Sequence, residues 1–274
     1  MTTHAPEHDV TIAELVSQLG ALGVERGGVL LVHTSFRAVR PVEGGPAGLI
    51  EALRTALGPT GTLVMPSWTG DDNAVFDPRT TPANPDLGVV PDTFWRMPGV
   101  RRAEHPFACA AAGPAAARIL GDPLPMPPHR PESPVGRVLE LDGQVLLLGV
   151  NHDADTTIHV AELLAGVPYR NAHHITVVEN GRPVRIEYGE NDHCCARFSL
   201  ADGWLCDRGL QREGTVGHAH ARLARSRDIV AVVREQLAQD PLLFLHPRGE
   251  CADCDETWSA EDRLWTSRAS VARG

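Results

Sequence analysis

Residues Glu190-Asn191-Asp192-His193-Cys194-Cys195 put two carboxylates, an imidazole and two thiols on six consecutive positions. So many titratable and metal-seeking groups on so little backbone point to catalysis or metal binding rather than to solvated surface. The segment has two distant complements. Thr157-Ile158-His159-Val160-Ala161-Glu162 sets an imidazole and a carboxylate three residues apart, and the stretch from His246 to Cys251 and Cys254 has metal-ligand spacing. On a helix, His159 and Glu162 share one face. A neutral imidazole is the natural general base near neutral pH, and a carboxylate behind it fixes its tautomer and stabilises the imidazolium. Either Glu162 or Glu190 can be that carboxylate.

Cys251-x-x-Cys254 offers two thiolates to one tetrahedral ion, and His246 reaches the same ion from a loop. The fourth ligand is Cys194 or Cys195, because adjacent residues in extended backbone point opposite ways. Four protein ligands close the coordination sphere, so the pattern predicts a structural Zn2+ site. Three readings compete with a catalytic site pinned by zinc. One is a redox CxxC, although such a motif normally opens a helix after a strand. Another is a zinc hydrolase built on His159, Glu162, His193 and a water, which needs an open metal position. The last is a catalytically silent module stapled by zinc.

The elements that position these groups follow from pattern. Thr11 and Glu14 form a capping box that opens a helix to about Leu22. The run from Val29 to His33 reads as a strand buried on both faces, ending at Thr34-Ser35, where open parallel sheets place ligand-binding groups. A helix over 47–57 and a strand over 61–65 continue an α-β-α-β order. The stretch from Pro66 to Pro98, carrying Asp71 and Asp72, is a long insertion of the kind that is functional or mobile. Pro123 to Pro134 holds six prolines and reads as an extended covering loop. A strand over 144–150 leads into a helix over 156–164 that carries His159. Strands over 175–178 and 184–188 flank Asn180-Gly181 as a hairpin running into Glu190. Helical patterns follow at 196–205, 218–223 and 226–237.

With 274 residues and 42% hydrophobic content the chain can bury one large core without a second domain. The expected fold class is α/β: a single large domain over residues 11–260, with a mixed central sheet covered by helices on both faces. A disordered segment at 1–10 and a tail at 261–274 are expected to flank it. The longest apolar runs are strand-sized and residues 1–8 have neither a basic leader nor an apolar core, so a cytoplasmic protein with no membrane partner is expected. In a reducing compartment the six cysteines read as ligands or core residues rather than disulfides. The net charge of −10 without a basic stripe argues against a nucleic-acid partner and suits a polycationic small molecule.

Several motifs occur in a shared order: Val32-His33-Thr34-Ser35 before Gly44-Gly45, Met65-Pro66-Ser67-Trp68, His105-Pro106, Ser133-Pro134, Leu148-Gly149-Val150 and Thr157-x-His159-x-x-Glu162. Over roughly residues 10–256 the chain resembles the aminoglycoside 3-N-acetyltransferases of the antibiotic N-acetyltransferase family. Phe107, Pro127-Pro128-His129, the segment 190–195 and Cys251-x-x-Cys254 resemble the branch that accepts apramycin as well as gentamicin-type drugs. The resemblance implies that family's fold and acetyl-CoA-dependent acetylation of the 3-amino group of 2-deoxystreptamine aminoglycosides, tobramycin type included, conferring antibiotic resistance. It implies His159 as general base, Glu190 as its orienting carboxylate and Thr34 as an oxyanion donor. It also implies a coenzyme A cradle from His33, Thr34, Ser35, Arg37, Gly44, Gly45 and Ser133. Contacts to the drug fall to Asp192, His129, Asp71, Asp72 and Glu162. Acylation of an amine that is not an aminoglycoside stays open, as does the choice between monomer and homodimer.

Overall fold

Thr11 begins the first helix with the expected reciprocal cap: its hydroxyl accepts the Glu14 N–H while the Glu14 carboxylate accepts the Thr11 N–H at 2.8 Å. This opens α1 (Ile12–Leu22), which buries Leu15, Leu19 and Leu22 at helical spacing. The computed structural model describes residues 9–121, 124 and 126–259. Of the flanking segments expected at 1–10 and 261–274, residues 1–8 and 261–274 lie outside the described residues, whereas Val10 is buried and bridges Val42 rather than being disordered.

After α1 come β1 (Val29–Thr34), α2 (Phe36–Val39), α3 (Gly45–Leu57), β2 (Thr62–Pro66), α4 (Val89–Trp95), β3 (Arg101–Arg102), β4 (Cys109–Ala112), α5 (Ala116–Ile119) and α6 (Pro134–Glu140). The second half holds β5 (Gln144–Leu148), α7 (Thr157–Ala165), the hairpin β6 (Asn171–Glu179) and β7 (Arg182–Glu190), α8 (Leu200–Asp207), β8 (Gln211–Val216), β9 (Ala219–Arg225) and α9 (Ser226–Gln239). A further helical stretch covers residues 252–259.

Seven strands form one sheet in the order β3-β4-β2-β1-β5-β9-β8, with β2, β1 and β5 parallel at its centre and antiparallel strands outside them. The central strands are apolar on both faces because both faces are covered. One core, around Leu19, Ile50, Leu53 and Phe94, lies under α1, α3 and α4. The other, around Val138, Ile158, Phe198, Val233 and Phe244, lies under α6, α7, α8 and α9. This is the mixed α/β class the sequence predicts.

Residues 218–223 differ from expectation. Their alanine, arginine and leucine content suits a helix, yet they form β9, with Ala219, Ala221 and Leu223 inward and His220 outward. A two-residue turn at Gly217-His218, with Gly217 at φ 62°, joins β9 to β8, so sheet context overrides local propensity. The β6–β7 hairpin is longer than expected, pairing Asn171 with Glu190 at its base, and it turns at Asn180 and Gly181 with both φ positive. Its outer part is latched to the loop after β2, where the Thr176 hydroxyl donates to the Asp72 carbonyl at 3.0 Å.

The carboxyl ends of β1, β2 and β5 meet at one edge of the sheet, where α7 begins. Among the described residues no helix is long and apolar enough to cross a membrane.

Candidate active site

At that edge the Asp155 carboxylate accepts the Thr157 N–H at 2.9 Å and starts α7, so His159 sits in the first turn and Glu162 one turn on. His159 Nδ1 lies 2.9 Å from Glu162 Oε2. The other oxygen, Oε1, accepts the Tyr169 hydroxyl and lies 2.9 Å from His193 Nε2. The Cys195 N–H donates to His193 Nδ1 at 3.1 Å, which makes Nδ1 the acceptor and leaves the His193 proton on Nε2, facing the carboxylate. An ionised carboxylate only accepts, so His159 carries its proton on Nδ1 and turns the Nε2 lone pair away from Glu162. The side chains of Glu162 and His193 are 0% exposed. Burial acts to raise the Glu162 pKa, but the hydrogen bonds from His159 and His193 outweigh it and hold the carboxyl at about 2. Burial and the adjacent Glu162 charge push the Tyr169 phenol well upward, so it remains a donor.

His159 stands where two cavities meet. The first, of about 280 Å³, is lined by Trp68, Asp72, Phe107, His129, His173, Tyr188, Glu190 and Asp192. The second, of about 530 Å³, runs past His33, Thr34, Asp86, Pro91, Asp155, Cys195 and Phe198. Trp68, Thr156 and His159 line both. A larger cavity of about 710 Å³ lies at the opposite end of β2, beside Gly58, Gly61 and Gly113, but it has neither imidazole nor thiol, so volume alone does not mark the chemistry. In the first cavity Asp192 lies 3.2 Å from His173. Burial raises the Asp192 pKa, the bond from His173 outweighs it, and the net shift is downward; the same bond raises His173.

Several expected residues sit elsewhere. Glu190 does not back His159: its Oε1 lies 3.0 Å from His129 Nδ1, because β7 ends against the segment carrying His129. The His129 ring stacks on His159 with centroids 4.7 Å apart. Glu162 lines neither cavity; enclosed by three donors, it has no face left for a drug. His33 and Thr34 line the second cavity, and the Thr34 hydroxyl is buried without a partner among the described residues. Burial lowers the His33 pKa, and its Nε2 lies 3.3 Å from the Thr156 hydroxyl. Ser133 is committed to capping α6, accepting the Gly136 N–H at 3.1 Å. Asp71 closes its own turn by accepting the Asn73 N–H at 3.0 Å. Ser35, Arg37, Gly44 and Gly45 line neither cavity; Gly44 caps α3 at φ 69°.

Tyr169, Thr156, His173 and Tyr188 lie outside the expected set. Thr156 has a signal in the sequence, a hydroxyl directly before a helix bearing a candidate base. Tyr169 has none, since it reaches Glu162 only through the turn that ends α7.

The thiols divide. Cys194, His246, Cys251 and Cys254 converge, with all four ligand atoms within 4.8 Å of one another. Cys194 Sγ lies 3.7 Å from Cys254 Sγ and 3.3 Å from His246 Nδ1. A tetrahedral ion with ordinary zinc bond lengths sets sulfurs about 3.8 Å apart and sulfur to nitrogen about 3.6 Å apart, so the donor set and its spacing fit. Cys195 is not among them. It adopts a left-handed backbone at φ 57°, which aims its side chain the other way, with Sγ 3.5 Å from His159 Nε2.

A mixed α/β sheet whose carboxyl edge holds a carboxylate-oriented histidine between two cavities is suited to an enzyme that brings two substrates together. The chain belongs to the aminoglycoside 3-N-acetyltransferase family, whose model matches residues 31–238. It is 67% identical over 235 residues to aminoglycoside N(3)-acetyltransferase IV of a Salmonella species, covering 86% of this chain and 90% of that one. Its structure is similar to that of a histidine-to-alanine variant of AAC(3)-IVa in complex with a gentamicin, with a TM-score of 0.92 at 62% identity over 94% of this chain and 100% of that one. The complex of such a variant with apramycin gives a TM-score of 0.86 over 91% and 100%. A binary complex of AAC-IIIb with CoASH gives 0.77 at 26% identity, over 85% and 97%.

Proposed function

We propose that the protein transfers the acetyl group of acetyl-CoA to the 3-amino group of 2-deoxystreptamine aminoglycosides, of the apramycin, gentamicin and tobramycin types, and thereby confers resistance to them. One observation carries the reading: His159, its tautomer fixed by Glu162, faces both an acidic cavity and a second cavity lined by Thr34. The relatives' complexes with a gentamicin, apramycin and CoASH support a drug in the first and a thioester in the second. Asp72, Glu190 and Asp192 give the first cavity the negative charge that a polycation needs.

The amine nitrogen attacks the thioester carbonyl carbon, the C–N bond forms, and the carbonyl electron pair moves onto oxygen. Thr34 Oγ, buried and unpartnered, is the hydroxyl free to donate to that oxyanion, whose charge develops only in the transition state. His159 Nε2 takes the proton leaving nitrogen. Collapse restores the C=O bond, breaks the C–S bond, and His159 gives the proton to the coenzyme A sulfur. Glu162 stays ionised throughout and balances the imidazolium, while Tyr169 and His193 hold it in place. Cys194, His246, Cys251 and Cys254 would hold a structural Zn2+, which when bound pins the segment carrying His193 and Cys195. A cytoplasmic setting supplies acetyl-CoA and keeps these thiols reduced.

The zinc hydrolase is not favoured, because Nδ1 of His159, both nitrogens of His193 and both oxygens of Glu162 already have protein partners. Acetyl-CoA turnover against a panel of 2-deoxystreptamine drugs, followed by release of free thiol and by NMR of the product, tests the proposal. The expected result is acetylation at N3 of apramycin and gentamicin. Thiol release with no panel member, alongside acetylation of an unrelated amine, would overturn the substrate class.

A further inference from the structure

The drug-side cavity holds a second histidine–carboxylate pair that the reaction as written leaves unused. His129 Nδ1 lies 3.0 Å from Glu190 Oε1, as His159 Nδ1 lies 2.9 Å from Glu162 Oε2. The two imidazoles stack with centroids 4.7 Å apart and planes 28° apart. His129 lines the drug-side cavity alone, whereas His159 lines both. Among the described residues no protein group bonds His129 Nε2, and the second Glu190 oxygen, Oε2, is buried without a partner.

Proton accounting for the proposed reaction asks for two acceptors. The drug's amine arrives mainly as ammonium, so two protons leave nitrogen in all, while only one is needed on the coenzyme A sulfur. His159 cannot hold both. Having taken the first, it would be an imidazolium with no lone pair at the moment of attack. Resting on the acetyl-transfer reading above, the geometry points to His129, oriented by Glu190, as the base that takes the first proton. The ammonium donates to His129 Nε2 and becomes a neutral amine. His129 returns that proton to solvent through its 21% exposed side chain, the amine attacks the thioester, and His159 takes the second proton and delivers it to the thiolate. Stacking two imidazoles disfavours charging both at once, which orders the steps: the first proton departs before the second arrives. The charged and titratable groups that line this cavity with His129 are Glu190, His159, Asp72, His173 and Asp192, together with the Tyr188 phenol and the Cys109 thiol.

The test is kcat and kcat/KM for apramycin against pH at saturating acetyl-CoA, for the full chain and for His129→Gln, Glu190→Gln and His159→Ala. In His129→Gln, kcat is expected to rise about tenfold per pH unit across the range where the unsubstituted protein is level, converging with it as the drug's own amine deprotonates. Glu190→Gln should shift in the same direction by less. A His129→Gln profile parallel to the unsubstituted one at any level, or a change confined to KM, would overturn the proposal. Calorimetric titration with apramycin verifies that the variant folds; should it not, the Glu190→Gln profile decides by the same criterion. His159→Ala separates the two readings: if it stays active the acetyl-transfer base is wrong whatever His129 does, and if it is inactive while His129→Gln runs parallel, only the present proposal fails.

Discussion

Glu162→Gln keeps the side-chain volume and removes one charge from a fully buried network. Two donors, Tyr169 and His193, converge on Oε1 and one, His159, on Oε2. The amide satisfies the first two only with its carbonyl at Oε1, which turns its NH2 toward His159 Nδ1. Nδ1 must then accept, so the His159 proton moves to Nε2 and the lone pair facing the cavities is lost. A wrong tautomer at a general base costs on the order of 10²–10⁴ in kcat. KM for apramycin should stay within about threefold, a bound set by general acid–base behaviour rather than binding, because Glu162 lines neither cavity. Stability should fall too. A carboxyl held at about 2 against an ordinary 4.5 is worth roughly 3 kcal/mol, at about 1.4 kcal/mol per pKa unit. Because the folded pKa lies below the unfolded one, that contribution is fully present above pH 4.5 and is lost as pH falls toward 2. Urea unfolding from pH 7 downward should therefore show a gap between the two proteins that narrows below about pH 4.5. A kcat within about threefold of the unsubstituted protein, or a gap that does not narrow in acid, would rule out this role for Glu162.

Other outcomes follow from the same geometry. Asp192→Asn removes a carboxylate from the drug-side wall and should raise KM for apramycin about tenfold with little change in KM for acetyl-CoA, measured by steady-state kinetics. Chelation, or Cys254→Ser, should release zinc detectable with a chromogenic chelator and lower Tm by roughly 5–10 °C, while an unchanged Tm would mean that the four converging ligands hold no structural ion. Arg102 donates to the carbonyls of Ser67, Pro78 and Thr81 and lies over the rings of Phe76 and Trp95. Arg102→Ala should therefore cost about 2–4 kcal/mol in urea unfolding and raise the drug's KM by loosening the loop that carries Trp68 and Asp72.

Local order is the most legible part of the sequence. The Thr11 box, the apolar central strands and the His159–Glu162 spacing are short-range patterns, and each forms where its pattern places it. What the sequence leaves open depends on elements that meet only in three dimensions. Glu162 and Glu190 are equally plausible partners for His159 until α7 and the end of β7 are packed, after which Glu190 faces His129. Cys194 and Cys195 cannot be told apart without the left-handed backbone of Cys195, which sends one thiol to the ligand cluster and the other to His159. The β8–β9 hairpin is hidden because alanine and arginine carry helical propensity and only pairing at the sheet edge makes them a strand.

His159 Nε2 is proposed to carry the proton from the drug's amine to the coenzyme A sulfur. Rapid-quench single turnover, with enzyme saturated by both acetyl-CoA and apramycin, isolates that step from binding and product release. In the unsubstituted protein N3-acetyl apramycin and free thiol should appear together. In His159→Ala, with both ligands still bound, the step should be slower by about 10²–10⁴. A chemical step in that variant within about threefold of the unsubstituted rate would rule out His159 as the proton carrier.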